Sequence, residues 1–245
     1  MMRKIKIKTK HGEIVTPFFM PDATRGVLKG LSVESIKKAG IQAMVVNTYH
    51  LYLEPGLEVI KSMGGIHQFM NWSGPLLSDS GGFQVFSLIH RNKSMGQILD
   101  DKVIFKSPIN GSRHELTPEK SIQIQFDLGV DMMVCLDDCP PNSASESEIN
   151  QAVKHTIDWA KRCKIEYNNQ IKLRKIKKSD RPLLFGVIQG GEYLDLRKKC
   201  TEALVKIDFD GYGYGAMPVD KDGKLLIEVL KYTAQLIPKN IFVIN

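Results

Sequence analysis

At 245 residues, with 42% hydrophobic and 25% charged positions, the chain is long enough and apolar enough for one sizeable domain, which excludes wholesale disorder. No apolar run approaches the roughly 18 residues of a membrane span, and the basic start MMRKIKIKTKHGEIV lacks the apolar stretch of a secretory signal, so a cytoplasmic chain is expected. A formal net charge of +7 is compatible with a polyanionic partner without requiring one.

Short apolar runs alternate with helical patterns along the chain, as in successive βα units on a parallel sheet. Residues 16–24 (TPFFMPDAT) are expected as a first strand, and 32–40 as a helix with Ser32 as N-cap and Gly40 as its stop. A second strand follows at 43–49, then a helix opening at Pro55, then a third strand at 75–80. Residues 83–115 break the rhythm. VIFKSPINGSRHEL reads as a hairpin turning at Asn110-Gly111, an insertion after strand three. A helix at 117–129, a fourth strand at 130–138 and a long helix at 144–172 resume the alternation. A fifth strand at 182–191 and a sixth at 209–217 are each followed by a helix, and NIFVIN (240–245) reads as a seventh strand. Polar residues at nearly every strand end, and no nucleotide fingerprint after strand one, favour a TIM-type (β/α) barrel over a doubly wound sheet. With about seven strands of eight, residues 1–245 are expected to form a single barrel domain truncated at its C-terminus.

The basic stretch 161–181 holds nine Lys or Arg against two acids; it reads as a solvated helix end and loop, with a nucleic-acid patch as the alternative. Four cysteines, Cys135, Cys139, Cys163 and Cys200, suggest neither a disulfide framework nor a zinc site, and no metal is expected in this chain.

Parallel barrels carry their sites at the C-terminal ends of the strands. Those positions hold Asp79, then Asp137 and Asp138, then Gln189, then Gly215. Buried carboxylates are costly unless paired or ligand-bound, so acids from consecutive strands point to a pocket. No His, Lys or Arg stands at these strand ends to neutralise them, so a ligand should supply the donors. A carboxylate accepts two adjacent N–H groups, such as guanine offers, and Gln189 suits a carbonyl edge. Phe83 can stack on a ring, and Gly81 and Gly82 let backbone N–H groups approach it. A purine-like base fits these groups; a divalent metal held by the acids is the rival reading.

Six ordered blocks then carry a resemblance. LLSDSGGFQVFSL (76–88), NTYHLYLEPG (47–56), FKSPINGSRHELTPEKSIQIQ (105–125), LDDCPP (136–141), LFGVIQGG (184–191) and GYGYGAMPV (211–219) are similar to the tRNA-guanine transglycosylase family. The resemblance implies a pentosyltransferase of queuosine biosynthesis. Guanine at the tRNA anticodon wobble position is exchanged for a 7-deazaguanine, preQ1 or queuine, through an aspartate nucleophile. By matched position, Asp79 is implied as the general acid/base, with Ser80, Gly81 and Gly82 in its loop and Phe83 as the stacking aromatic. Asp137 and Gln189 are implied to read the base edge, and Gly215-Ala216 to contact it through the backbone. The family's second glycine is Ala216 here, and Met217-Pro218 replace its Leu-Ala. The resemblance places the nucleophile and a Cys-x-Cys-x2-Cys…His zinc site beyond the matched residues, so no cofactor is implied for this chain. The implied partners are tRNA, the base, and a second copy or complementing chain. A catalytically incomplete base- or tRNA-binding homologue, or an accessory subunit, is the alternative.

Overall fold

The computed structural model describes residues 4–141, 143–220, 222–239 and 241–244. In chain order, a hairpin of β1 (Lys6–Thr9) and β2 (Gly12–Val15) leads to α1 (Val33–Lys38) and β3 (Met44–Val46). Three short helices, α2 (Thr48–Leu53), α3 (Leu57–Ser62) and α4 (Ile66–Met70), precede β4 (Leu76–Ser78). Then come α5 (Gly82–Arg91), β5 (Gly96–Ile98), β6 (Val103–Lys106), β7 (Arg113–Leu116), α6 (Pro118–Leu128), β8 (Met132–Val134) and α7 (Glu146–Leu173). The last elements are β9 (Leu183–Ile188), α8 (Leu194–Ile207), β10 (Gly211–Tyr214), α9 (Ile227–Leu236) and β11 (Phe242–Ile244).

The chain forms two compact units. The first comprises Met1–Gly81, Ile122–Val134 and Glu166–Leu183; the second comprises Gly82–Ser121, Cys135–Ile165 and Leu184–Asn245. In the first, β3 pairs with β4 in parallel (Met44 opposite Leu76), and β4 with β8 (Leu77 opposite Met132). In the second, β9 pairs with β10 (Phe185 opposite Gly211) and β10 with β11 (Gly211 opposite Phe242), again in parallel. Leu183 N–H donates to Asp131 O within the first unit, and Cys135 N–H to Phe185 O within the second. The parallel strand order is β3-β4-β8 in the first unit and β9-β10-β11 in the second. Runs such as LLS of β4 and LLFGVI of β9 are apolar and largely buried throughout, not alternating, as strands covered on both faces require.

The expected first strand at 16–24 is corrected. No strand forms there; only Asp22 bridges Val45, with Ala23 N–H donating to Val45 O and Val45 N–H to Pro21 O. Pro17 and Pro21 lack donor N–H groups, so a continuous ladder cannot run through this segment. The second expected strand is shortened, because Asn47 turns the chain and caps α2, its side chain accepting from His50 N–H. Ser32 caps α1 as expected. Residues 96–116 form a separate antiparallel sheet, β5-β6-β7, with Val103 opposite Leu116, and Asn110 Oδ1 accepts from Ser112 N–H in the turn between β6 and β7. Of the expected seventh strand, Asn240 and Asn245 lie outside the described residues.

Several cations of the 161–181 stretch are engaged by local acids. Arg162 makes a two-pronged pair with Glu119, Lys161 pairs with Asp158, and Arg174 with Asp127.

Candidate functional site

The sequence-derived site residues divide between the units: Asp79, Ser80 and Gly81 in the first, Gly82, Phe83, Asp137, Gln189, Gly215 and Ala216 in the second.

In the first unit, β4 delivers Asp79. Gln125 braces the strand ends, since its Oε1 accepts from Ser78 Oγ (2.9 Å) and Val134 N–H (3.0 Å), while its Nε2 donates to Val134 O (2.9 Å). The Asp79 carboxylate accepts from Asn47 Nδ2 at 2.5 Å, Thr48 N–H at 2.9 Å and Gly81 N–H at 3.0 Å. Thr48 Oγ1 also donates to the Asp79 carbonyl. Two of the groups that orient the carboxylate, Asn47 and Thr48, are not among the site residues expected from the sequence. Gly81 has φ +77°, and a Cβ there would come within 3.1 Å of Tyr49 N, so this turn needs glycine.

In the second unit, Gly82 opens α5 and Phe83 follows, 55% exposed, with a ring available for stacking. Phe83, Cys139 and Met217 line a cavity of about 670 Å³. Gln189, Tyr193 and Ala216 line another of about 340 Å³, and both include Pro140, Pro141 and Met217. The structure brings Asp137 and Gln189 together: Gln189 Nε2 donates to Asp137 Oδ2 at 2.6 Å. Burial pushes the Asp137 carboxyl up to about 6, with Asp138 adding to the rise and Gln189 opposing it. A Cβ on Gly215 would stand 2.6 Å from Gln189 Nε2. Ala216 has φ +67°, a left-handed conformation that costs an L side chain about 1–2 kcal/mol and that glycine adopts freely.

The expectation that no His, Lys or Arg accompanies these acids is corrected at Asp138. His155 Nδ1 lies 2.8 Å from Asp138 Oδ2, and its Nε2 lies 3.0 Å from Asp100 Oδ1. The hydrogen bond to Asp138 raises the His155 pKa against the opposing effect of burial. Trp159 stacks on His155 and donates its indole N–H to Asp100 O at 2.7 Å. Arg197, on α8, is buried without exposure. Its guanidinium donates to Gly191 O (2.8 Å), Ile188 O (2.7 Å) and Gly215 O (3.0 Å), bracing the backbone beside Gln189 and Gly215. Its Cζ sits 4.0 Å from the Tyr214 ring centroid. Both side chains lie on helices, away in sequence from the strand ends they serve. The one signal for Arg197 is an arginine amid the buried face Leu196, Cys200 and Leu204.

Burial pushes the thiols of Cys139 and Cys200 up to about 12, so both are protonated at neutral pH.

The raised pKa of Asp137 has a measurable consequence for stability. Its carboxyl titrates at about 6 in the folded chain against an ordinary 3.8. The folded chain therefore holds a proton that the unfolded chain has released, a contribution fully present below 3.8 and lost as pH rises through about 6. Moving a titration midpoint by one pH unit is worth about 1.4 kcal/mol, so the loss is on the order of 3 kcal/mol. His155 adds a loss of the same sign, at pH above 6.5. Urea unfolding of wild type and Asp137→Asn from pH 4 to 7 separates the two. The variant is expected to lack the decline between pH 4 and 6; parallel curves would refute the assignment.

Comparison with known proteins completes the site's description. The family model for queuine tRNA-ribosyltransferase matches residues 2–244. A queuine tRNA-ribosyltransferase of Halothermothrix orenii is 43% identical over 235 residues, 96% of this chain and 59% of that protein. Those of Caldanaerobacter subterraneus subsp. tengcongensis and Staphylococcus aureus strain JH9 are 43% and 42% identical, over 95% and 96% of this chain and 58% of each relative. The chain thus spans less than two thirds of the length of these curated relatives.

Proposed function

Because the chain belongs to the queuine tRNA-ribosyltransferase family, we propose that it is the base-binding part of a tRNA-guanine transglycosylase. In this reading guanine at the anticodon wobble position leaves and a 7-deazaguanine, preQ1 or queuine, enters. The observation that carries it is the pairing of Asp137 with Gln189 at 2.6 Å beside a cavity lined by Gln189 and Ala216. A carboxylate and an amide side by side offer acceptors for a purine's N1–H and amino group and a donor for its carbonyl. Gln189 donates to Asp137 when no base is present; an incoming base takes over that acceptor and frees the amide for its own carbonyl edge.

Asp79 then serves as general acid/base for the departing and arriving bases, oriented by Asn47, Thr48 and Gly81. The backbone of Ser80, Gly81 and Gly82 admits the ligand closely, and the exposed Phe83 ring stacks on the base. Gly215 and Ala216 supply backbone contacts, with Arg197 keeping them in position. The base pocket uses no cofactor in this reading.

We further propose that the parallel strands belong to a TIM-type barrel, with β5-β6-β7 as an insertion, within one domain that the remaining length of the relatives extends. The partners are tRNA, the base, and a second copy or a complementing chain, and the setting is the cytoplasm. No helix among the described residues is long and apolar enough to cross a membrane.

Calorimetric titration of guanine into wild type and Asp137→Ala tests the base reading. Loss of the acceptor is expected to cost about 1.5–3 kcal/mol, or roughly ten- to a hundredfold in Kd. Equal affinities would remove Asp137 from the base edge.

A further inference from the structure

At the opposite end of β4 from Asp79, the first unit gathers His11, His67 and Asp131, three residues distant in sequence that no spacing motif joins. His11 sits in the β1–β2 turn, His67 on α4, and Asp131 immediately before β8. His11 Nδ1 lies 2.8 Å from Asp131 Oδ1, and His67 Nε2 lies 3.2 Å from Asp131 Oδ2. The two imidazoles stack with centroids 3.7 Å apart and planes 24° from parallel, which brings a nitrogen of each ring to the same carboxylate. All three ligand atoms fall within 4.8 Å of one another.

We propose that His11, His67 and Asp131 bind a divalent transition ion, zinc being the best match to two imidazoles and a carboxylate. Four features carry the assignment. First, His67 Nε2 is a buried nitrogen that points at the cluster and makes no aligned hydrogen bond. Buried polar atoms in folded proteins nearly always have partners, and the 3.2 Å separation of this nitrogen from Asp131 Oδ2 suits two ligands of one ion as well as an ion pair. Second, the other His67 nitrogen, Nδ1, lies 3.2 Å from the Trp72 carbonyl. Metal-bound histidines typically donate the second ring N–H to such a carbonyl, which fixes the tautomer that leaves Nε2 as ligand. Third, Asp131 has a side chain without exposure and is itself oriented by backbone donors, Leu76 N–H at 3.0 Å and His11 N–H at 3.1 Å. Fourth, His11 and Asp131 line a cavity of about 490 Å³, which gives an ion an entry path and leaves a fourth position for water. An ion here replaces the contact of His11 Nδ1 with Asp131 by two metal bonds and ties the N-terminal hairpin, α4 and the base of β8 together.

Cobalt(II) titration of the chelator-stripped 245-residue chain, followed by zinc displacement, tests the site. One equivalent of cobalt is expected to bind with the visible absorption of a four-coordinate N/O site, and zinc is expected to displace it. His67→Gln and His11→Gln are each expected to weaken binding by more than the roughly 10–100-fold typical of losing an outer-shell partner. His11, with 27% of its side chain exposed, is the substitution that least endangers folding. A second readout is thermal: zinc should raise the unfolding temperature of wild type and leave His11→Gln unmoved. No saturable binding, binding unchanged in the histidine variants, or thiolate-to-cobalt charge transfer in the near ultraviolet would each overturn the proposal.

Discussion

Arg197→Met is expected to destabilise the chain by about 3–5 kcal/mol. The guanidinium is buried, with no carboxylate among its hydrogen-bond partners in the described residues; it is held by three backbone carbonyls and the face of Tyr214. Burial lowers its pKa, the mark of a cation taken from water. Each charged hydrogen bond contributes about 1.5–3 kcal/mol, but three bonds sharing one cation do not add, which gives the lower total. Methionine fills much of the space but leaves Gly191 O and Gly215 O without this donor. Ile188 O loses less, because it also accepts from Gly215 N–H at 2.8 Å. Arg197→Lys should fall between the two, since one ammonium cannot reach three divergent carbonyls. Urea unfolding at constant slope measures the change in midpoint. A loss below about 1 kcal/mol for the methionine variant would mean that the carbonyls find other partners, and the bracing role of Arg197 would fall with it.

Which features the sequence discloses depends on how local their causes are. The Ser32 cap, the buried run of β9 and the glycines at 81 and 215 each answer to a constraint within a few residues, so pattern alone finds them. The segment 16–24 misleads because its apolar residues suit a strand while Pro17 and Pro21 withhold the donors a ladder needs. Asn47-Thr48 misleads in the other direction, since a β-branched and an aromatic neighbour extend the strand pattern past the residue that ends it. Asp79, Asp137 and Gln189 stand out as polar groups at strand ends. Their supports do not, because Asn47 reaches Asp79, His155 reaches Asp138, and Arg197 reaches Gly215 only through the tertiary fold. His11, His67 and Asp131 belong to the same class: three ordinary positions made into a cluster by packing.

Labelled guanine is not expected to enter tRNA on the 245-residue chain alone. Exchange through a covalent ribosyl intermediate needs a carboxylate that attacks the sugar on the face opposite the departing base, as retaining glycosidases need a second carboxylate. The three strand-end acids already have other engagements. Asp79 accepts from Asn47, Thr48 and Gly81; Asp137 accepts from Gln189; Asp138 is paired with His155. In the proposed reading Asp137 exchanges Gln189 for the base edge, and Asp79 and Asp138 would have to give up the contacts that orient them before either could attack. The resemblance implies that the nucleophile lies beyond the matched residues, and the match covers 59% of the Halothermothrix orenii relative. A polypeptide covering that remaining length, added to this chain, is therefore expected to start incorporation. In that mixture Asp79→Asn should slow it by about 10²–10⁴, the usual share of a general acid/base. A mixture that binds guanine yet exchanges none would favour the accessory, base-holding reading of the family membership. Robust exchange by the chain alone, abolished by Asp79→Ala, would instead show that one of these engaged carboxylates lets go of its partners during the reaction.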